Sequence, residues 1–332
     1  MAKLNEMDYL FVTGRIRVLE QDLLSSEKID RMLEADDLSE AAKVLTECGY
    51  PEMSEVNVDT VNETLARHRD EIYSDFYLFA PDRRIIDVFR VKYDYHNAKV
   101  LLKAEARNIN EDRLLVKTGL VDPEKLKEAV RSGDYYGMTG SLPEAVPRAR
   151  EVLGATKDPQ LSDFVLDAAY FKDMEDMACG VGSEFLKDYV ALLVDSANLK
   201  SLVRTLRMGK DSEFLKNVLF EGGKVEPKKI ISAAGSGNKV TGVFSGTALE
   251  EAAQEGEKVL SKGSLTEFEK LCDNAQVRFI KKAKSVTFGE APLVAYLAAS
   301  ENDLTAVRII MTGRLAHLDT DIIRERLRET YV

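Results

Sequence analysis

Two sets of acids in this sequence could do chemistry. Asp36-Asp37-Leu38-Ser39-Glu40 crowds carboxylates into one short stretch, the hard oxygen donors that a divalent cation such as magnesium takes. Asp94, Asp195 and Asp303 stand instead inside apolar helical patterns. A carboxylate turned inward there must be hydrogen-bonded, paired or set in a wet cavity, because burying it bare is costly. Two readings follow for these three: pairing with a neighbouring helix end or an arginine, or lining a polar opening between units.

Other reactive residue types form no recognisable constellation. His68, His96 and His317 are the only histidines, and none has a second ligand-type residue at the spacing of an HExxH helix. Cys48, Cys179 and Cys272 lie far apart and include no CxxC pair, which argues against a zinc site or a disulfide framework and for a reducing, cytosolic compartment. Gly235 to Gly242 is rich in glycine but lacks the spacing and the preceding strand of a phosphate loop, so it reads as an interhelical turn. No G-x-S-x-G elbow or cysteine-protease signature is present. Thus no catalytic, cofactor-binding or metal-ligating residue is assigned, and no cofactor is expected.

The elements that would carry the acids are helices. Long stretches of Leu, Ala, Glu, Lys and Arg with few prolines favour helix on propensity, and strand-like alternation is nearly absent. Asp37-Leu-Ser-Glu40 and Ser264-Leu-Thr-Glu267 have the form of capping boxes at helix starts. The expected class is all-α.

One helical unit recurs three times. Its opening reads Leu24-Ser-Ser-Glu-Lys28-Ile29, Val121-Asp-Pro-Glu-Lys125-Leu126 and Val225-Glu-Pro-Lys-Lys229-Ile230, with proline where the first helical turn tolerates it. A later helix reads Asp94-Tyr-His-Asn97-Ala98-Lys99, Asp195-Ser-Ala-Asn198-Leu199-Lys200 and Asp303-Leu-Thr-Ala306-Val307-Arg308. The acids fall at a nearly constant distance from their openings, 25 to 94, 122 to 195 and 226 to 303. Apolar columns at 88, 91, 98, 101 and 102 make a core-facing stripe that includes the acid. The bases at 99, 200 and 308 lie about 140° round the helix from it, on a solvated or inter-unit face. The third copy is looser, since Ser300 replaces an apolar residue and the run from Asp303 to the opening-like Asp319 is short. The units are 1–120, 121–224 and 225–332, with the two chain ends expected to complete one another's packing.

A chain of 332 residues exceeds one usual core, in agreement with several units. Its 57 acidic against 46 basic residues give a net charge of -11, which argues against nucleic acid as a partner and favours a basic one. Apolar runs such as Leu293 to Ala299 are too short to span a bilayer, and the amino terminus has no apolar signal region. The expectation is a chain that neither spans a membrane nor is exported.

The stretch Arg15-Ile-Arg17-Val-Leu19-Glu20, with Leu23-Leu24-Ser-Ser-Glu27-Lys28-Ile29, Leu38-Ser-Glu40-Ala41 and Cys48-Gly49-Tyr50, resembles the C-type subunit of bacterial and archaeal V/A-type ATPases, the d-type subunit of the eukaryotic proton pump. Phe288-Gly289-Glu290-Ala-Pro292, the Val307-Arg308-Ile309-Ile310 helix and Arg326-Leu-Arg-Glu-Thr-Tyr-Val332 carry the same resemblance. It implies a funnel of three diverged helical units about a pseudo-threefold axis with a central cavity. It further implies a non-catalytic rotor part, peripheral on the cytoplasmic face of the membrane. The D- and F-type shaft subunits would sit in the cavity and the proteolipid ring at the base, with no direct nucleotide. Asp94, Asp195 and Asp303 are then the candidate cavity-lining or interface residues. Two alternatives are a general helical-repeat adaptor and a magnesium-dependent prenyl-transfer enzyme, whose aspartate-rich motif Asp36 to Glu40 resembles. That string also makes a capping box, and no second aspartate-rich helix faces it.

Overall fold

The computed structural model describes residues 5–236 and 240–332, and among them every regular element is helical. The chain runs through α1 (Leu10–Leu19), α2 (Ser26–Glu34), α3 (Leu38–Glu47), α4 (Val58–Phe79) and α5 (Arg84–Arg107). There follow α6 (Pro123–Ser132), α7 (Leu142–Thr156), α8 (Pro159–Val181), α9 (Glu184–Arg207) and the single turn α10 (Ser212–Leu215). The last part holds α11 (Pro227–Ser236), α12 (Val240–Phe244), α13 (Glu250–Val259), α14 (Leu265–Ile280), α15 (Ala291–Leu315) and α16 (Thr320–Glu325).

The expected helix starts are real ones. Ser25 Oγ accepts from the Lys28 N–H at 3.2 Å, and Asp122 Oδ1 accepts from Glu124 and Lys125 at 3.0 and 3.2 Å. Asp37 Oδ1 receives the Glu40 N–H at 2.8 Å and Ser264 Oγ the Glu267 N–H at 3.4 Å. Each cap satisfies an amide that the helix itself leaves without a partner, an effect of about 1 kcal/mol. Of the glycine-rich stretch, Gly235 lies in α11 and Gly242 in α12; the turn expected between them lies outside the described residues.

The first two copies share one order of helices: an opening helix (α2, α6), a second (α3, α7), a long third (α4, α8) and an acid-bearing helix of 24 residues (α5, α9); in the third copy α11 is followed by α12, α13 and α14 before the acid-bearing α15 of 25 residues. Packing follows a different division. The described residues up to Arg83 form one compact unit with Phe244–Val332, and Arg84–Val243 form another. In the first, α15 packs against α1, α2, α3, α4, α14 and α16. Its Leu304, Val307, Ile310 and Met311 join Met32, Leu33, Leu45, Leu65 and Ile323 in one apolar cluster. In the second, α5 packs on α6, α7 and α8, and α9 on α8, α10 and α11.

Described residues from the early and late parts of the chain meet in the first unit. The Tyr331 hydroxyl donates to Glu20 Oε1 at 3.0 Å, and Arg314 spans α2's end by donating to the carbonyls of Met32, Leu33 and Ala35. Cationic donors at a helix carboxyl end are the favourable arrangement. No described helix is long and apolar enough to cross a membrane. Cys48 and Cys272 are buried and Cys179 is exposed, with no disulfide among the described residues.

Candidate functional site

The apolar columns read from the sequence all face inward. Val88, Val91, Ala98, Leu101 and Leu102 are buried on α5, as are Tyr189, Leu192, Leu199, Leu202 and Val203 on α9 and Leu297, Ser300, Val307, Ile310 and Met311 on α15. The acids share that face: Asp94 is 1% exposed, Asp195 3% and Asp303 6%.

Backbone amides satisfy them. Val121 N–H donates to Asp94 Oδ1 at 3.0 Å and Leu120 N–H to its Oδ2 at 3.2 Å. Val225 N–H donates to Asp195 Oδ1 and Lys224 N–H to its Oδ2, both at 3.0 Å. Leu24 N–H donates to Asp303 Oδ2 at 2.7 Å. Leu24, Val121 and Val225 are the first residues of the three openings, immediately ahead of each opening helix. There the positive end of the helix dipole also favours a carboxylate. Every acid therefore holds the opening of the following copy, and the last acid holds the opening of the first. None of the described bonds joins one acid to another.

Two further features complete the joints at α5 and α9. Asn97 exchanges two bonds with the backbone of Val116, both at 2.8 Å, and Asn198 does the same with Phe220. These asparagines stand three residues after the acid, one turn along the same face. Gly119 and Gly223 stand two residues before each receiving valine, and a Cβ on either would lie inside van der Waals contact of Asp94 Oδ1 or Asp195 Oδ1. Neither glycine has a left-handed φ; space alone demands them. Gly-x-Val ahead of the opening, with Asn three after the acid, is the signal by which the sequence could have revealed the joint.

The α15 joint lacks all three supports. Asp22 stands where the glycine would be, Ala306 replaces the asparagine, and only one oxygen of Asp303 accepts a bond from the described residues. A related device starts α7, where Asp173 on α8 accepts the Ser141 N–H at 2.9 and 3.0 Å, the Ser141 hydroxyl at 2.7 Å and the Tyr95 hydroxyl at 2.6 Å.

Desolvation dominates the electrostatics of the acids. Burial pushes Asp94 up to about 6 against the lowering effect of its two amides, and raises Asp195 in the same way. Asp303, with one amide and the Lys28 charge to oppose burial, is pushed up to about 7. A carboxyl whose folded value exceeds its unfolded one near 3.8 holds more protons folded than unfolded. Its stabilising share is complete below the unfolded value and is lost as pH rises through the folded one. Relative to Asp303→Asn, the wild type should therefore lose roughly 3 kcal/mol between about pH 5 and about pH 8. Denaturation midpoints of both proteins across that range test this, and parallel pH profiles would refute it.

The remaining sequence candidates fall elsewhere. Lys99 Nζ pairs with Asp167 on α8 at 2.5 Å, and Arg308 is exposed. Asp37 is committed to its cap while Glu40 receives the Asp36 N–H at 3.3 Å. His96 Nε2 lies 3.0 Å from the Leu114 carbonyl, and His68 stacks on Tyr50 with ring centroids 3.8 Å apart. The described residues contain no group of three metal-ligating side chains.

Sequence similarity to known proteins extends along nearly the whole chain. The sequence model for the family described as ATP synthase (C/AC39) subunit matches residues 12–326. The C-type subunit of the V-type sodium ATPase of Enterococcus hirae is 23% identical over 98% of this chain and 99% of its own length. The C-type subunit of the A-type ATP synthase of Methanocaldococcus jannaschii is 23% identical over 96% of this chain and 86% of its own. The corresponding V-type ATP synthase protein of Thermus thermophilus is 29% identical over 64% of this chain and 68% of its own.

Proposed function

Because the chain belongs to the ATP synthase (C/AC39) subunit family, a non-catalytic part of its complex, we propose that it couples a central shaft to a membrane rotor ring in a V/A-type ATPase. It would transmit torque between ATP turnover and ion movement. The D- and F-type shaft subunits would seat in a central cavity and the proteolipid ring would meet the base, on the cytoplasmic face of the membrane. Three helical units, 1–120, 121–224 and 225–332, would stand about a pseudo-threefold axis as a funnel, with Asp94, Asp195 and Asp303 at or near the axial opening. The prenyl-transfer reading falls with family membership.

One observation supports the axis above others: the acid-to-opening bond recurs in cyclic order, with Asp303 returning to Leu24. A connector under torque gains from such closure, because every copy's opening is held by an acid of another copy. The surplus of acids suits a basic partner surface.

Purified shaft and ring subunits provide the test. Association with both at low salt is expected, and failure to bind either defeats the reading. If the three acids also meet the shaft, replacing all of them by Asn weakens shaft binding more than it lowers the melting temperature. A large loss of stability with binding retained assigns them to the fold alone.

A further inference from the structure

Beside the α15 joint lies a cavity of about 490 Å³ whose walls come from the first compact unit alone. Asp303 reaches it with Oδ2 committed to the Leu24 N–H, while Oδ1 accepts no bond from the described residues. Tyr50 lines the same space. It is 5% exposed and stacks on His68, yet its hydroxyl makes no hydrogen bond among the described residues. Ser300, which donates to the Tyr296 carbonyl at 2.9 Å, adds a third oxygen able to accept.

Asp303 and Tyr50 are 6% and 5% exposed, and neither Asp303 Oδ1 nor the Tyr50 hydroxyl has a protein partner among the described residues, so a donor entering the cavity would find both open. The charges specify its sign. Asp22 and Glu71 line the cavity as exposed carboxylates, and Asp75 is paired with Arg15 at 2.5 Å. His68 offers no opposing charge, because burial lowers it to about 4. Lys28, the cation that acts on Asp303, is held by the carbonyls of Gln21 and Leu23 at 2.7 and 3.0 Å. Leu19, Leu23, Ile72 and Phe76 supply an apolar wall, and Tyr296 an aromatic face that attracts cations. A metal ion is disfavoured by the lack of three converging ligands among the described residues.

We infer that this cavity binds a primary ammonium group on a short aliphatic stem, its nitrogen donating to Asp303 Oδ1 and the Tyr50 and Ser300 hydroxyls. Three N–H bonds match three acceptors, and the stem lies on the apolar wall. The same chemistry comes from a free alkylamine or from a lysine side chain of another protein. The joint at α15 is the one at which the acid keeps an oxygen for it; at α5 and α9 both oxygens are taken by amides.

Calorimetric titration of the full chain with n-butylammonium, and with n-butanol as the neutral isostere, tests this. Saturable binding of the ammonium is expected, with the alcohol at least about tenfold weaker and Asp303→Asn reducing ammonium affinity about tenfold. Tyr50→Phe, which removes a hydroxyl that supports nothing else, should weaken it several-fold and serves if Asp303→Asn misfolds. Equal binding of the alcohol, an unchanged affinity in both variants, or no saturable ammonium binding overturns the proposal. N-acetyl-lysine amide separates the sources. If it binds as butylammonium does, the mouth admits a protein side chain; if only butylammonium binds, the site takes a free amine.

Discussion

Gly223→Ala, and Gly119→Ala with it, should each lower the stability of the chain by about 3 kcal/mol or more. The added methyl would occupy the place of a carboxylate oxygen and would stand 3.0 Å from Asp195 Cγ, or 3.2 Å from Asp94 Cγ. Moving the carboxylate aside strips Lys224 and Val225, or Leu120 and Val121, of their acceptor and leaves a buried charge unpaired. Each orphaned group adds about 1–3 kcal/mol. Gly14→Ala is the control. It lies within α1 with nothing inside 4 Å of its would-be Cβ, so relief of glycine's conformational entropy should raise stability by about 0.5–1 kcal/mol. Thermal denaturation ranks the three, and a Gly223→Ala protein as stable as the wild type would mean that Asp195 is not held where the geometry has it.

The second large effect separates the joints by chemistry alone. Asp94→Asn and Asp195→Asn put an amide NH2 where an amide N–H already points, because both carboxylate oxygens there accept backbone donors. Asp303→Asn can keep its one bond to Leu24 through the remaining oxygen and turn the NH2 to the cavity. The first two variants should therefore be less stable than the third by about 2–3 kcal/mol at the same pH. Protonation differs from amidation here. A protonated carboxyl still accepts on both oxygens, so a raised proton affinity and a poor tolerance of Asn are compatible. Equal melting temperatures across the three variants would remove the distinction between joints.

Much of this was legible in the sequence. The helix openings at Ser25, Asp122 and Glu226 and the apolar columns around each acid are periodic, and a period survives divergence because packing needs side chains of one kind at fixed intervals. The acids were legible as residues out of place in a stripe. Their partners were not, because the donors are backbone amides, 27 residues ahead for Asp94, 30 for Asp195 and 279 behind for Asp303. An amide carries no residue-type signal. Packing was equally hidden: α5 packs on α6 to α8, α9 on α11 as well as α8, and α15 on α1 to α4 as well as α14, so the acid-bearing helices pack across the boundaries of the repeat written along the chain. The clues that could have shown it, glycine at 119 and 223 and asparagine at 97 and 198, occur in two copies only.

That two-of-three pattern has a mechanical meaning. A carboxylate pinned through both oxygens cannot turn about its Cβ–Cγ bond, so α5 and α9 are clamped to the helices that follow them. At α15 the acid is pinned through a single oxygen, so more of the tie to α2 falls on Arg314, which grips the carbonyls at the far end of that helix. The opening of the first copy is thus held from both ends of α2, by a carboxylate at its start and a guanidinium at its finish, whereas the other two openings are held at their starts by paired oxygens.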